Sequence, residues 1–424
     1  MTEKRFRDLE AVFQARLERR EFMRRLGLIA AVTAASPYIG RYAWAQDEVA
    51  PASQVIRGKL DALIVHNDST GVIETPLRLL RQHRVTPKEL LYVRNNQILE
   101  PEGRSNEPAS LDGWTVELMG LVQYPIVLAA AELRDLEQSE VEMVLQCSGS
   151  GRSFYARTEE TSGTQWGHGG MGNVRFRGPS LAAVLAEYEP VVDPSAVFIT
   201  AEGADSPGER ASNPDFEHSV PLADVLDKAI LALEMNGEPL PGSHGGPVRL
   251  VIPGYYGTMN MKWLSRLRFE AHETSNYNQL PRYRVPNRPI EPGAEIEYTF
   301  ENSQPNWQQK IKSVIFSPLE GATLASGKVT VTGVAWNDGA APITAVEVST
   351  DEGQTWQTAQ LETPKSAYAW HPFNAQLELG GGQQRIHARA VDALGRTQPI
   401  DGSVYWNPSG YEWNGVDFVN VTVS

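Results

Sequence analysis

Apolar residues recur along the chain with two different spacings. In residues 77–83 and 222–236 they return every three or four positions, which predicts amphipathic helices. Shorter apolar runs bounded by Gly, Pro or Ser are typical of strands. Such runs occupy residues 114–122, 141–147, 196–203 and 247–254. This mixture predicts an α+β fold for the part of the chain that ends near residue 310.

The pattern changes near Lys312. From there to the C terminus, β-branched and polar residues alternate between turns rich in Gly, Asp and Asn. About seven short strands within roughly 110 residues are typical of an all-β immunoglobulin-like sandwich. The sequence therefore predicts an α+β domain at 46–310 and a sandwich domain at 311–424. Within the first domain, residues 46–60 are predicted to form a surface arm and 302–310 a linker.

Glycine-rich loops separate many of the strands predicted in the first domain. They occupy residues 149–153, 167–174, 241–247 and 253–260. Glycine lets the backbone come close to a large ligand, because it has no side chain to keep the ligand away. Ordinary turns also use glycine. The loops therefore indicate a ligand site without identifying it.

The N-terminal segment has the features of an export signal. The pair Arg19 and Arg20 precedes a short apolar stretch at 26–36, and the small-x-small pattern at 43–45 is typical of a cleavage site. The apolar stretch is too short to span a bilayer as a helix. We predict that residues 1–45 form a twin-arginine signal, which carries a folded protein to the periplasm. An amphipathic N-terminal helix is the alternative.

Composition and charge narrow the function. The chain is 41% hydrophobic and 21% charged, as expected for a folded soluble protein without a membrane span. A net charge of −14 without a basic cluster argues against a nucleic-acid partner. An acidic surface suits a basic protein partner. Only one cysteine is present among the 424 residues, which excludes an intramolecular disulfide and zinc sites that need several thiolates.

That single cysteine, Cys147, has three interpretations. It follows a predicted strand, where a buried cysteine often acts as a small apolar side chain. It is alternatively a nucleophile, with His168 or His244 as its base, although no known nucleophile motif surrounds it. The third interpretation is a thiolate ligand to a metal whose remaining ligands come mainly from an organic cofactor.

The residues around Cys147, LQCSGSGRSF, resemble the cysteine loop of the sulfite oxidase family of molybdenum enzymes. Further segments resemble the family's motifs in the same order: TPKELLYVRNNQ, GTQWGHGGMGNVRFRGPSLAAVL, EMNGEPLPGSHGGPVRLVIPGYYGTMNMKWLSRL and VEVSTDEGQTW. The resemblance implies an α+β molybdopterin-binding domain of the sulfite oxidase fold, followed by an immunoglobulin-like dimerisation domain. It also implies that Cys147 is the protein ligand to the molybdenum of one Mo-molybdopterin cofactor per chain.

The resemblance assigns roles to other residues as well. The implied cofactor-binding residues are Tyr92, Val93, Arg94, Asn95, Asn96, Asp205, His244, Arg249, Asn260, Met261 and Lys262. A pterin phosphate needs cations and N–H donors, which Arg249, Lys262 and the glycine-rich loops supply. Arg94 and Tyr283 are implied to act in catalysis beside Cys147. A guanidinium suits a sulfur oxyanion, and a phenol suits proton-coupled steps.

The implied reaction is the oxidation of sulfite to sulfate by oxygen-atom transfer, in a homodimer. The chain has no C-x-x-C-H motif, so we expect no haem in it and a c-type cytochrome as the electron acceptor. Two departures from the family pattern make the implied substrate pocket less cationic. Asn96 replaces a histidine, and residues 406–418 contain no arginine. A sulfane held by a sulfur-carrier protein is therefore the second candidate substrate, and a cofactor-free β-rich binding protein is the third interpretation.

Overall fold

The structure, a computed structural model, describes residues 50–205 and 215–424 of the chain. The predicted export signal at 1–45 lies outside the described residues. Strands dominate both predicted domains, and the α-helices are short. None of the helices in the described part of the chain has the length and apolar character needed to cross a membrane.

The first domain is built from short strands joined by loops. Its strands are β1 (Ile64–Asn67), β2 (Val72–Glu74), β3 (Thr115–Gly120), β4 (Ile126–Ala129), β5 (Gln138–Gln146), β6 (Met171–Pro179), β7 (Phe198–Gly203), β8 (Glu217–Pro221), β9 (Ile230–Ala232), β10 (Glu234–Met235), β11 (Glu238–Pro239), β12 (Arg249–Val251), β13 (Leu264–Glu270), β14 (Arg284–Pro286) and β15 (Ser303–Pro305).

Helices connect these strands. The α-helices are α1 (Ala52–Val55), α2 (Leu77–Leu80), α3 (Leu181–Tyr188) and α4 (Leu222–Val225). Short 3₁₀ helices occupy Glu102–Arg104, Glu132–Arg134, Arg152–Arg157, Gly242–His244 and Gly257–Met259, and another in the second domain occupies Gly402–Tyr405. The longest α-helix within the described residues, α3, begins after Ser180, whose hydroxyl accepts a 3.0 Å hydrogen bond from the backbone N–H of Ala183.

Two sheets organise the first domain. A mixed five-stranded sheet has the order β4-β3-β13-β7-β8, and its buried face packs in the largest apolar core. A four-stranded sheet has the order β11-β10-β6-β5, with a regular antiparallel ladder between β5 and β6. That ladder runs to the pair Gln146 and Met171, so the chain leaves β5 directly at Cys147. The second sheet therefore determines where the cysteine lies.

The second domain is the predicted sandwich. Its strands are β16 (Lys312–Ser317), β17 (Ala322–Leu324), β18 (Gly327–Trp336), β19 (Ile343–Ser349), β20 (Gln357–Thr358), β21 (Gln360–Leu361), β22 (His371–Leu379), β23 (Gly382–Asp392) and β24 (Asp417–Val423). They form one sheet of order β16-β18-β22-β21 and another of order β17-β24-β23-β19-β20. Alternating residues fill the core between the sheets, as in β24, where Val419, Val421 and Val423 are buried.

Three local predictions were wrong. The predicted helix at 222–236 ends at Val225, and β9 pairs instead with β12. All three residues of β9 are buried, so their apolar run reflects burial on every side rather than one helical face. Residues 171–174 of a predicted loop belong to β6. Part of the predicted linker forms β15, which pairs with β14.

The described part of the predicted surface arm, residues 50–60, is also packed against the domain. Ala52 and Ile56 are fully buried, and Lys59 is 3% exposed. The arm belongs to an apolar cluster with β2 and with the loop that carries Val93. The arm is short and of mixed composition, so its sequence has no periodic apolar pattern. The contacts that bury it come from distant parts of the chain and were therefore not predicted.

The two domains share an apolar core. This cluster combines Leu80, Val144 and Met171 of the first domain with Val314, Phe316, Val334, Trp336 and Trp370 of the second. Because each side of the cluster would be exposed without the other, the domains stabilise one another along this face.

Candidate active site

One cavity brings together every residue that the sequence analysis assigned to the cofactor or to catalysis. The space inside it, including the part that opens to solvent, is about 670 Å³. The predicted residues in its lining are Tyr92, Val93, Arg94, Asn95, Asn96, Cys147, Asp205, His244, Arg249, Asn260, Met261, Lys262 and Tyr283. The lining also contains Gln97, Leu145, Ser148, Phe216, Gly257, Thr258 and Trp263, which were not predicted. Their convergence is a structural finding, whereas the individual roles stay predictions.

The end of β5 fixes Cys147 in the cavity wall. The side chain is 8% exposed. Its backbone N–H donates a 2.8 Å hydrogen bond to the carbonyl oxygen of Gly170, and its carbonyl oxygen accepts one of 2.9 Å from the N–H of Ser150. The first bond extends the β5–β6 pairing past the strand end and the second closes a turn, so the thiol faces the cavity from a backbone held on both sides.

Arg94, Asn96 and Tyr283 form a hydrogen-bonded group at the same cavity. A terminal nitrogen of Arg94 donates to the Asn96 side-chain oxygen at 2.6 Å and to the Tyr283 hydroxyl at 3.3 Å. The Tyr283 hydroxyl oxygen lies 2.7 Å from Nδ2 of Asn96 and 3.0 Å from Oδ1. The amide of Asn96 therefore holds the phenol as both donor and acceptor. A fixed cation and a fixed phenol can together bind and protonate an oxyanion.

Two cations, the buried Arg249 and the half-buried Lys262, line another part of the cavity. Arg249 donates a 2.8 Å hydrogen bond to the carbonyl oxygen of His244. Lys262 donates to the carbonyl oxygen of Ser243 at 3.0 Å, and also to the side-chain oxygen of Asn95. All of these bonds are to neutral acceptors. Their positive charges are therefore not neutralised by the contacts that hold the side chains.

Burial and mutual repulsion shift the pKa values of these cations. Burial lowers the pKa of Arg249 to about 10. Burial, and then the charge of Arg249, hold the pKa of Lys262 well below its usual value. The pKa of His244 is also lowered, by burial and then by the charge of Lys59. Each shift shows that the positive form is poorly stabilised without an anion in the cavity.

Asp205 and Asn260 contribute in different ways. Burial raises the pKa of Asp205 to about 7, so this carboxyl group only weakly offsets the nearby charge of Lys262. The amide of Asn260 is used within its own loop, where it accepts from the N–H of Ile252 at 2.8 Å and donates to the carbonyl oxygen of Tyr256 at 2.9 Å. Asn260 thus shapes the cavity wall.

Two glycines in the predicted loops are required by close approach of the cavity residues themselves. Gly245 has a φ of 96°, and a Cβ atom there would lie 2.7 Å from Lys262. A Cβ atom at Gly257 would lie 2.9 Å from the hydroxyl oxygen of Tyr92. These glycines let the loops converge, which is a different reason from the direct ligand contact suggested by sequence.

The sequence analysis missed Lys59, which supports His244 from outside the cavity. Its Nζ atom lies 2.8 Å from Nε2 of His244, donates to the carbonyl oxygen of Leu91 at 2.8 Å, and donates also to that of Lys88. A lysine in a segment with no periodic pattern gave no signal.

The nucleophile interpretation of Cys147 receives no support from its proposed bases. Nε2 of His168 lies 2.8 Å from a carboxylate oxygen of Asp417 in the sandwich domain. Nε2 of His244 faces Lys59, as described above. Both imidazoles are thus engaged with other side chains, and within the described part of the chain neither forms a hydrogen bond with the thiol.

Two family models match the chain. The oxidoreductase molybdopterin binding domain matches residues 104–278, and the Mo-co oxidoreductase dimerisation domain matches 303–423. Mitochondrial sulfite oxidase of Homo sapiens is 30% identical over 399 residues, which cover 89% of this chain and 70% of that protein. The chain belongs to the sulfite oxidase family of molybdopterin oxidoreductases. The family and the fold predicted from the sequence are both confirmed.

Other members of the sulfite oxidase family and one solved structure extend this comparison. Sulfite oxidase of Gallus gallus is 32% identical over 80% of this chain and 73% of its own. Nitrate reductase [NAD(P)H] of Hordeum vulgare is 30% identical over 80% of this chain but 39% of its own. The crystal structure of the sulfane dehydrogenase SoxCD from Paracoccus pantotrophus covers 93% of this chain and 96% of its own, with a TM-score of 0.70 and 24% identity. At that identity the structural match shows the fold.

The molybdopterin-binding domain implies a molybdenum cofactor, and the cavity fits such a group. Arg249 and Lys262 form no ion pair within residues 50–205 and 215–424, so an anionic cofactor would offset their charge. The hydroxyl of Ser148 is buried, and the described residues give it no hydrogen-bond partner. A cofactor with phosphate and polar ring atoms would satisfy these groups, and Cys147 would add a soft sulfur ligand.

Proposed function

We propose that this protein oxidises sulfite to sulfate and passes the electrons to a c-type cytochrome. The observation that supports this most directly is the Arg94–Asn96–Tyr283 group, which shares one cavity with Cys147 and the two cations. An anion-binding guanidinium and a fixed phenol beside a metal-binding thiol are what oxidation of a sulfur oxyanion requires.

Each part of the cavity has a separate task in this proposal. When bound, the molybdenum cofactor supplies oxygen-atom transfer and accepts two electrons. Arg249, Lys262 and His244 hold its anionic part, and Cys147 ligates the metal. Arg94 binds the substrate anion. Tyr283 orients a reacting oxygen through its hydroxyl, because Asn96 holds that hydroxyl in one place.

A second candidate substrate is a sulfane carried by a protein. The segment 406–418 contains no arginine. Near Tyr283 it contributes instead the aromatic ring of Tyr411, which lies 5.2 Å from the Tyr283 ring. Phe216 adds another aromatic edge at 6.0 Å. The rings of Phe216 and Tyr283 in the cavity lining suit a bulkier substrate than sulfite. A carrier protein would then provide most of the binding energy.

The cellular setting is part of the proposal. Residues 1–45 direct the folded protein to the periplasm by the twin-arginine route, where c-type cytochromes are assembled. We infer one molybdenum and no haem per chain, and a homodimer formed through the sandwich domain. Replacing Arg19 and Arg20 by Lys should leave the protein in the cytoplasm. Undiminished periplasmic protein in that variant would show that another route exports it.

The test is purification of the full chain from its native compartment, followed by metal analysis and a sulfite:cytochrome c assay. We expect about one molybdenum per chain and a kcat/KM within the usual enzyme range of about 10⁴–10⁸ M⁻¹s⁻¹. Cys147→Ser should keep the circular dichroism spectrum and lose activity, because oxygen is a harder ligand than thiolate.

The other outcomes each favour a different function. Good activity with a sulfane-loaded carrier and very low kcat/KM for free sulfite would favour the second candidate. Nitrate reduction without sulfite oxidation would overturn both sulfur substrates. A purified native protein without molybdenum would indicate a cofactor-free binding protein instead.

A further inference from the structure

The ring of Tyr283 is fixed by neighbours from both domains. It stacks on the ring of Tyr411 with a centroid distance of 5.2 Å and an angle of 21° between the planes. The edge contacts come from the first domain, His218 at 5.3 Å and Phe216 at 6.0 Å. The guanidinium of Arg282 also lies over the ring, 5.3 Å from its centre. Tyr411 is the stacked aromatic partner, and it lies in the loop before β24 of the sandwich domain.

Tyr283 needs such support, because its backbone is not in a relaxed conformation. Its φ is 55°, a left-handed value that non-glycine residues adopt uncommonly. A residue in this region keeps its conformation only when the surrounding contacts hold it there. Besides the side-chain contacts, its carbonyl oxygen accepts a 2.9 Å hydrogen bond from the N–H of Asn306.

Tyr411 is itself held firmly. Asn407 accepts from its backbone N–H at 3.0 Å and donates to its carbonyl oxygen at 2.9 Å. The Tyr155 hydroxyl donates to the same carbonyl oxygen at 3.1 Å. The guanidinium of Arg152 lies 5.1 Å from the centre of the Tyr411 ring and donates to the carbonyl oxygen of Ser409 at 2.7 Å. The ring is thus a rigid surface against which another ring can be placed.

We propose that Tyr411 is a positioning residue that holds the Tyr283 phenol at Asn96 and so completes the active site from the second domain. The inference rests on the proposed function for its kinetic consequence, but not for its structural one. Its ring provides the flat face, and Asn96 provides the hydrogen bonds. Without the face, Tyr283 would rotate and its hydroxyl would leave Asn96. A misplacement of about 1 Å can cost about 100-fold in rate.

The kinetic test compares the wild type with Tyr411 variants of the molybdenum-loaded enzyme, using sulfite as the substrate and cytochrome c as the acceptor. Tyr411→Leu should lower kcat by about 10- to 100-fold and change KM by less than about threefold, since the phenol acts on the reaction more than on binding. Tyr411→Phe keeps the ring and should restore most of kcat. Tyr405→Leu is the matched control, because that exposed ring packs on Lys310 and not on Tyr283; it should leave kcat unchanged.

A double variant tests whether the effect passes through Tyr283. In a Tyr283→Phe background, adding Tyr411→Leu should lower kcat by less than about twofold. If the two effects multiply instead, Tyr411 acts independently and the proposal fails. Tyr411→Met, which fills the space without a ring, repeats the test if the leucine variant folds poorly. Molybdenum content and the melting temperature identify variants that are merely misfolded.

A crystal structure of the Tyr411→Leu variant separates this proposal from the proposed function. We expect the Tyr283 hydroxyl to lie beyond hydrogen-bond distance of Asn96, instead of at 2.7 Å. Tyr283 in its original place would overturn the positioning role, even if the variant were less active. Conversely, displacement of Tyr283 in a protein that oxidises neither sulfite nor a sulfane would support the positioning role and reject the proposed function.

Discussion

The backbone N–H of Glu412 donates a 2.7 Å hydrogen bond to the carbonyl oxygen of Ser148, the residue after Cys147. On the other side of the cysteine, the indole N–H of Trp336 donates a 3.0 Å bond to the side-chain oxygen of Gln146. Both donors belong to the sandwich domain. That domain therefore holds both neighbours of the thiol, and the site depends on it structurally.

This relationship predicts different costs for two buried tryptophans. Trp336→Phe leaves the buried side-chain oxygen of Gln146 without its donor, so the free energy of unfolding should fall by about 1–3 kcal/mol beyond the loss of volume. Trp370→Phe is the matched control. Its indole N–H is buried and has no hydrogen-bond partner among the described residues, so its removal leaves no acceptor unsatisfied. Urea unfolding of both variants measures the difference, and equal losses would contradict the prediction.

The sequence predicted the cavity better than it predicted the elements around it. Cys147, Arg249 and Lys262 were found because each belongs to a local motif that resembles the family, and short motifs preserve the chemistry of a site. The helix predicted at 222–236 failed, since pairing of β9 with β12 decides the structure there. Apolar spacing alone does not distinguish a buried strand from a buried helix segment.

Contacts between distant residues explain what the sequence did not reveal. Lys59 and His244 are 185 positions apart in the chain, and they meet only in the folded protein. Tyr411 and Tyr283 belong to different domains and meet in the same way. Neither contact produces a periodic pattern or a characteristic spacing in the sequence, so neither could be predicted from a single segment.

Lys59 is expected to control cofactor retention. Its ammonium group has three N–H donors for three acceptors, two carbonyl oxygens and Nε2 of His244. Lys59 therefore holds the His244 ring in place. Lys59→Gln should release the ring and lower the affinity for the cofactor by about tenfold, as loss of a supporting residue typically does. The molybdenum content after dialysis measures the effect.

The matched control for Lys59 is Lys88→Gln. The Lys88 side chain forms an ion pair with Glu238, whose side chain is 59% exposed, and so does not support His244. The control should retain the wild-type molybdenum content. Equal losses in both variants, or none in Lys59→Gln, would show that the Lys59–His244 contact is unimportant for retention.

Arg94 and Tyr283 should affect different kinetic constants. Arg94→Gln removes a charge-assisted contact worth about 1.5–3 kcal/mol, so KM for sulfite should rise by about tenfold or more. Tyr283→Phe keeps the stacked ring and removes the hydroxyl, and it should act mainly on kcat. Steady-state assays with sulfite and cytochrome c measure both. An unchanged KM in Arg94→Gln would favour a carrier-bound substrate, whose binding depends on the protein surface.

His218, which packs against Tyr283, is expected to lower the stability of the folded protein in acid. Nδ1 of His218 lies 2.8 Å from the side-chain oxygen of Gln279, and Nε2 lies 3.3 Å from the hydroxyl of Thr258. The neutral imidazole satisfies both contacts. Burial lowers the pKa of His218 to about 4 from an ordinary value of 6.5. Between these values the unfolded chain binds a proton that the folded chain does not bind.

The contribution of His218 is therefore fully present above pH 6.5 and is lost as the pH falls towards 4. Within that window the free energy of unfolding should fall by about 1.4 kcal/mol per pH unit relative to a variant without the imidazole. Urea unfolding of the wild type and His218→Gln from pH 7 to 4.5 gives this difference. His272→Gln, which replaces an exposed imidazole, should follow the wild type. Parallel curves for the wild type and His218→Gln would mean that His218 takes up its proton in the folded protein as readily as in the unfolded chain.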